Sequence, residues 1–315
     1  MNKIEIGVYI VIAIALIGSA VLTNLVRRLA IIDIPNERSS HSQPTPRGGG
    51  IGLVVMTMIG LLCSQILWSL TTWRGLMMYL GAALLIAAIS WLDDLKSLST
   101  KIRFIAHFVA AGLVVAEWGY WDKLDLPLIG SIALGQVGLL MTLFWIVGLT
   151  NAYNFMDGID GIAGGQAFVA GIGWAAVGWI INDKFIFAIG GLLAASSLGF
   201  LFYNWSPAKI FMGDVGSAFL GFTFAVIPVM AMRSAHNYQN IMLWVGILLI
   251  WPFIVDTGFT LLRRLSKGEN IFRPHRSHFY QRMVIAGYSH QLVSLLYIGL
   301  AILGSVLSLL LTRRS

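Results

Sequence analysis

An all-α, polytopic membrane protein with about ten transmembrane helices is what this sequence predicts, and three observations carry the prediction. Of its 315 residues, 57% are hydrophobic and only 11% are charged, whereas soluble domains carry about 25% charged residues. The apolar residues are gathered into long runs, each near the roughly 20 residues that a helix needs to cross a bilayer. Lys and Arg are divided unequally between alternate loops, as the positive-inside rule requires of a chain threaded back and forth through a membrane.

In chain order the runs fall near 5–26, 49–70, 76–92, 104–121, 131–150, 162–181, 185–203, 216–233, 241–262 and 291–311. The first has no small-residue cleavage signature and reads as a retained helix. The fourth and fifth have the least distinct boundaries, because 119–130 mixes Trp, Asp and Pro. No repeat, low-complexity tract or soluble domain interrupts the series, so 1–315 reads as a single integral-membrane domain. The lone Cys63 excludes a disulfide framework and a Cys-based zinc site. The net charge of +7 is scattered over short loops, which suits anionic lipid or phosphate partners and not nucleic acid. Loops 27–48, 93–103, 151–161, 204–215 and 263–290 hold 14 of the 21 Lys and Arg residues. That side is expected to be cytoplasmic, with both termini outside; Arg313 and Arg314 run against the rule at the last helix.

The motif-like polar clusters all fall in those five loops. Asn151, Asn154, Asp157 and Asp160 recur every third residue, near the helical repeat, so they can share one face or one short turn. Gly158 and Gly161 let the backbone leave the helix and approach a ligand. Hard oxygen ligands of this kind suit Mg²⁺ with a phosphate substrate better than zinc; the alternative is a polar turn capping two helices. In the stretch 33–50, three prolines forbid a regular helix, and Arg38, His41 and Arg47 can meet an anionic headgroup. Asp93 and Asp94 end the third run, followed by Lys96, Lys101 and Arg103. Two adjacent carboxylates at a helix C-terminus repel each other and oppose the dipole, a cost without evident structural gain. Phe211-Met-Gly-Asp214 opens the eighth run, where Asp214 can cap the helix or belong to a metal–phosphate site. His275, Arg276, His278 and Arg282 offer donors to phosphate oxygens. Asp256, His107 and Glu117 lie within runs, where pairing explains them as well as function does.

In their order and on their side, Asp93-Asp94, Asn151-x-x-Asn-x-x-Asp-Gly-x-Asp-Gly161, Phe211-Met-Gly-Asp214 and the histidine loop 275–278 resemble the motifs of the polyprenyl-phosphate N-acetylhexosamine-1-phosphate transferases, glycosyltransferase family 4. The resemblance runs over essentially the whole chain. It implies ten spans, a cytoplasmic active site in the bacterial inner membrane, and dependence on Mg²⁺, with Mn²⁺ as a candidate substitute. It further implies Asp214 as a metal ligand assisted by Asp157 or Asp160, and Phe211 as the aromatic that stacks on uracil. Asp93, Asp94, Asp157, Asp160 and His278 become candidate catalytic residues. Lys101, Asn151, Asn154, His275, Arg276, Arg38 and His41 become candidate substrate-binding residues. The partners implied are a UDP-N-acetylhexosamine donor, a polyprenyl phosphate acceptor and membrane lipid, with a homodimer left open. Where the peptidoglycan enzyme has three consecutive histidines this chain has His-Arg-Ser-His, and Lys96 stands where the common-antigen branch often has an acid. The wording Arg-Ser-Ser-His and Ser-His-Phe-Tyr-Gln-Arg is more like the O-antigen-initiating branch, which uses UDP-N-acetylfucosamine, UDP-N-acetylquinovosamine or UDP-N-acetylglucosamine. The rival readings are the phospho-muramyl-pentapeptide transferase of the same family and a secondary transporter, whose binding charges would lie near the bilayer midplane.

Overall fold

The computed structural model describes residues 3–29, 32–33, 44–126, 130–234, 238–270 and 275–314. Eleven helices are formed among them: α1 Lys3–Leu29, α2 Gly50–Trp68, α3 Trp73–Lys96, α4 Thr100–Trp118, α5 Gln136–Phe155, α6 Ile162–Ile180, α7 Lys184–Asn204, α8 Asp214–Ser234, α9 Met242–Ser266, α10 Phe279–Ile285 and α11 His290–Arg314. Nine of these are long and apolar enough to cross a membrane. The remaining long helix, α4, carries Lys101, Arg103 and Glu117 yet packs between α3 and α5 and reaches α8 like its neighbours. It starts four residues earlier than the apolar run, because its charges sit in the end turns.

The centre is α8, which touches α2, α3, α4, α5 and α9 and is 94% buried over its apolar window, against 22% for α1 and 33% for α11. Lipid tails give helices no hydrophobic reason to associate, so close backbone approach through small residues has to supply the contact. The tight α6–α7 pair shows this. A Cβ on Gly190 would lie 2.4 Å from Ala175 N, and one on Gly171 would lie 2.6 Å from Ala194 N. The peripheral helices turn Ile10, Ile14, Ile17, Leu296 and Leu303 outward, as a lipid-facing surface requires.

In α9, Pro252 cannot donate to the helix ladder and the backbone breaks at Ile250. The carbonyl of Leu249 accepts instead from Gln166 Nε2 of α6 at 2.8 Å. Two short antiparallel pairs complete the fold. Ile32–Asp33 (β1) pairs with Thr45–Pro46 (β2), and Lys123–Leu126 (β3) with Gly130–Ala133 (β4). The second fills the ill-defined stretch between α4 and α5. The alternation of long helices brings loops 44–49, 97–99, 156–161, 205–213 and 275–289 to one end of the bundle, opposite the β3–β4 hairpin.

Candidate active site

The loop before α2 is laid against the loop before α8. Phe211 N–H donates to Pro46 O at 2.8 Å, and the N–H groups of Gly48 and Gly49 donate to Phe211 O at 3.1 and 2.9 Å. Gly213 makes the turn into α8 with φ +78°, and a Cβ there would meet Asp94 Oδ2 at 2.8 Å. Only glycine serves both demands.

Asp94 explains that crowding. Its carboxylate accepts from the N–H groups of Asp214 and Val215 at 3.1 and 3.2 Å, so the free amides of the α8 N-terminus are capped from α3 and not by Asp214. Arg47 closes the arrangement. Its Nη2 lies 2.6 Å from Asp94 Oδ1 and 2.6 Å from Asp214 Oδ1. Asp93 accepts from Leu98 N at 2.6 Å and from Arg103 Nη1 at 2.8 Å, and Arg103 reaches to 3.9 Å from Asp214. The paired carboxylates thus have the structural gain that their sequence position conceals. Each ties a different loop to α3.

The residues of the Asn151–Asp160 series fan out and do not share one face. Asn151 Nδ2 donates to Val147 O at 2.7 Å and contacts His107 Nδ1 of α4 at 3.1 Å. Asn154 accepts from Ser217 of α8 at 3.3 Å. Asp157 is half-buried in the turn after α5 and has neither a hydrogen-bond donor nor an ion-pair partner among the described residues. Asp160 is engaged at both oxygens, by Ala208 N–H at 3.1 Å and by His290 Nδ1 at 3.3 Å. Burial works against charge on Asp160, but the hydrogen bonds from His290 and Ala208 outweigh it and hold the carboxyl below its usual range. Burial first, and then the neighbouring Asp214, push Asp157 well above the usual range.

The histidine loop hangs on Asp256 of α9. That carboxylate accepts from Phe279 N at 2.9 Å, Tyr280 N at 3.2 Å and Tyr297 OH at 2.6 Å, and meets His278 Nδ1 at 3.1 Å. The buried acid therefore caps α10 and orients His278, whose side chain is 4% exposed. Tyr280 carries the linkage onward by donating to Phe155 O at 2.9 Å. His275, lowered to about 4 by burial and by Arg264, is neutral near pH 7 and contacts Ser277 Oγ at 2.9 Å.

A cleft opens between these loops, lined by Asp33, Arg47, Asp157, Asp160, Asn204, Phe211, Asp214, Gln281 and His290. Its chemistry fits a hard divalent cation with an anionic ligand. Asp157 makes no ion pair among the described residues and lies close enough to Asp214 and Arg47 for their charges to interact. Among the described residues no three metal-ligating side chains cluster. That is compatible with Mg²⁺, which typically takes one or two carboxylates and completes its shell with water and phosphate oxygens. Phe211 adds an aromatic surface beside the carboxylates.

A model of glycosyl transferase family 4 matches residues 76–232. The probable undecaprenyl-phosphate N-acetylglucosaminyl 1-phosphate transferase of Bacillus subtilis (strain 168) is 32% identical over 298 residues, 93% of this chain and 81% of that protein. The chain belongs to the polyprenyl-phosphate N-acetylhexosamine-1-phosphate transferases. Other members extend the likeness. The decaprenyl-phosphate N-acetylglucosaminephosphotransferase of Mycobacterium tuberculosis (strain ATCC 25618 / H37Rv) is 29% identical over 322 residues, covering 92% of this chain and 78% of the relative. The phospho-N-acetylmuramoyl-pentapeptide-transferase of Listeria welshimeri is 28% identical over 289 residues, covering 84% and 83%.

Set against the motifs of this transferase family, Asp157, Asp160, Phe211 and Asp214 line the cleft, and Asp94 stands behind it. Asn151, Asn154, Asp93 and His278 instead brace the elements around it. Lys101 is exposed on the first turn of α4, outside the cleft lining. Arg38 and His41 lie outside the described residues. Sequence reasoning missed His290, Asn204 and Gln281. A lone His just before an apolar run offers no spacing to catch the eye. Asn204, which accepts from Gly161 N at 3.0 Å and donates to Ile210 O at 3.0 Å, shows only as a polar residue ending one.

Proposed function

We propose that this transferase moves an N-acetylhexosamine 1-phosphate from a UDP-sugar to polyprenyl phosphate, releasing UMP, at the cytoplasmic face of a bacterial inner membrane. The observation that carries the reading is the gathering of Asp157 and Asp214 with Arg47 and Phe211 around one cleft, with Asp94 behind it, at the end of the bundle opposite the β3–β4 hairpin. The relatives' names support the class of both substrates. The donor is UDP-N-acetylglucosamine or its 6-deoxy relatives UDP-N-acetylfucosamine and UDP-N-acetylquinovosamine, and the product primes an O-antigen or related surface polysaccharide.

The acceptor phosphate is already ionised near neutral pH, so the chemistry needs no strong base. An acceptor oxygen attacks the β-phosphorus, and the bond to the bridging oxygen breaks with UMP as leaving group. The barrier is dominated by bringing two anions together. Bound Mg²⁺ would supply charge neutralisation on the transferring phosphoryl group. Asp157 and Asp214 are the residues that would hold it, Arg47 supplies positive charge at the same place, and Phe211 stacks on the base. Asp160, engaged with His290, orients that wall of the cleft. Asp93 and Asp94 hold α3, α4 and α8 in register. The test is to supply undecaprenyl phosphate and Mg²⁺ with a panel of UDP-sugars and weigh the lipid product. A polyprenyl diphosphate HexNAc is expected. A product carrying a muramyl peptide would transfer the chain to the peptidoglycan branch.

A further inference from the structure

Arg47 is held by its backbone, and its tip bridges two carboxylates. Its main chain is fixed against Phe211 by the parallel bridge. Its guanidinium, with the side chain 34% exposed, uses a single nitrogen to reach two acids from different helices, Asp94 at 4% exposure and Asp214 at 21%. It also lies in the walls of two adjoining clefts, the large one and a smaller one lined with Trp91 and Asp94. Carboxylates outnumber guanidiniums at this point. A cation that ligates Asp214 would therefore compete with Arg47 for the same oxygens. Once displaced, an arginine presents a planar fork suited to phosphate oxygens.

We infer that Arg47 is an exchangeable counter-ion: it neutralises Asp94 and Asp214 when no cation is bound and releases Asp214 to a divalent cation as the donor diphosphate arrives. Resting on the function proposed above, this makes Arg47 a positioning residue that couples cation binding to diphosphate binding. While Arg47 is in place a metal binds more weakly, because Asp214 is already paired. The diphosphate rewards displacement of the arginine by giving it a new anion. Cation and nucleotide thus tighten each other by the same factor, as linkage demands. Arg103, bound chiefly to Asp93, does not take part in the exchange.

The experiment titrates Mn²⁺ into the detergent-solubilised full chain, with and without UDP, and reads free Mn²⁺ by electron paramagnetic resonance. Folding of each variant is checked by its melting curve. In the wild type, UDP should tighten Mn²⁺ about tenfold, within the usual range of such couplings. In Arg47→Gln, Mn²⁺ alone should bind several-fold more tightly than in the wild type, and the tightening by UDP should shrink to the part that direct contact between cation and diphosphate supplies. Arg47→Lys, which keeps the charge, should hold Mn²⁺ near the wild-type value and retain part of the coupling. Arg103→Gln should leave the coupling intact. Unchanged or weaker Mn²⁺ binding in Arg47→Gln, or coupling as large as the wild type's after the loss of Arg47, overturns the inference. If the wild type bound Mn²⁺ but neither UDP nor any UDP-sugar, the functional proposal itself would fall, while the Mn²⁺ titration of Arg47→Gln alone would still decide whether arginine and cation compete.

Discussion

Helix α4 ends in an arginine–carboxylate pair at both ends, and the two pairs differ in kind. At the hairpin end Glu117 meets Arg74 at 2.8 Å, with the arginine 73% exposed, and Arg233 donates to the Glu117 carbonyl. At the cleft end Arg103 meets Asp93 at 2.8 Å, but it also lies near Asp214, which is shared with Arg47, which in turn is shared with Asp94. The first is a single pair, exposed on its arginine side, that closes a helix end. The second is a network of charges from four separate segments, with Asp157 left unpaired beside it. Charge in excess of what helix ends require is concentrated at one end of the bundle, which supports the proposal that an outside cation and an anion complete the balance there.

The largest effect should come from breaking that incomplete balance. Asp214→Asn keeps the shape of the side chain and removes its charge. UMP release should fall on the order of 10²–10³-fold, as when a main electrostatic contact to a transition state is lost, with the melting curve little changed. Next comes the sealed hub. Asp256→Ala leaves His278, Tyr297 OH and two backbone N–H groups without their acceptor, and should cost about 3–5 kcal/mol of stability, read as a lowered melting midpoint. A wild-type midpoint would mean that the α10 loop is held by something else.

A smaller effect should appear with pH. The Asp157 carboxyl is raised in the folded protein, so ionising it costs the cation-free protein stability as pH rises through that raised value. A cation reverses the sign, because it binds the ionised form. Mn²⁺ affinity should therefore climb with pH above the ordinary carboxylate range, with proton release on binding. Calorimetry in buffers of different ionisation enthalpy measures that release, and Asp157→Asn should remove it. The smallest effect belongs to the hairpin end. Arg74→Gln should shift stability by no more than about 1 kcal/mol and leave UMP release within about twofold. A large loss there would erase the contrast between the two ends.

Much of this was legible beforehand because a bilayer leaves few options. Runs of about 20 apolar residues must be helices, and the polar stretches between them then fall alternately on two sides. The motif residues were found where they interrupt those runs. What stayed hidden depends on partners far apart in the chain. Asp94 reads as an electrostatic liability until the α8 N-terminus, 120 residues on, is seen to rest on it. Asp256 reads as a stray acid in a span until residues 22 to 41 positions later converge on it. The even spacing of Asn151 to Asp160 suggested one shared face or one short turn; the helix ends at Phe155, so the two asparagines face other helices while Asp157 and Asp160 lie in the turn that lines the cleft.

The account rests on the claim that the cleft holds a divalent cation between its own carboxylates and a nucleotide diphosphate. Its most direct test is UMP release by the wild-type protein from UDP-N-acetylhexosamine and undecaprenyl phosphate, measured with Mg²⁺ and again after chelation by EDTA. Release with Mg²⁺, loss on chelation and recovery on adding Mg²⁺ or Mn²⁺ back are the predicted results. Full release in EDTA, or none in Mg²⁺ from a folded protein across the donor panel, would contradict it.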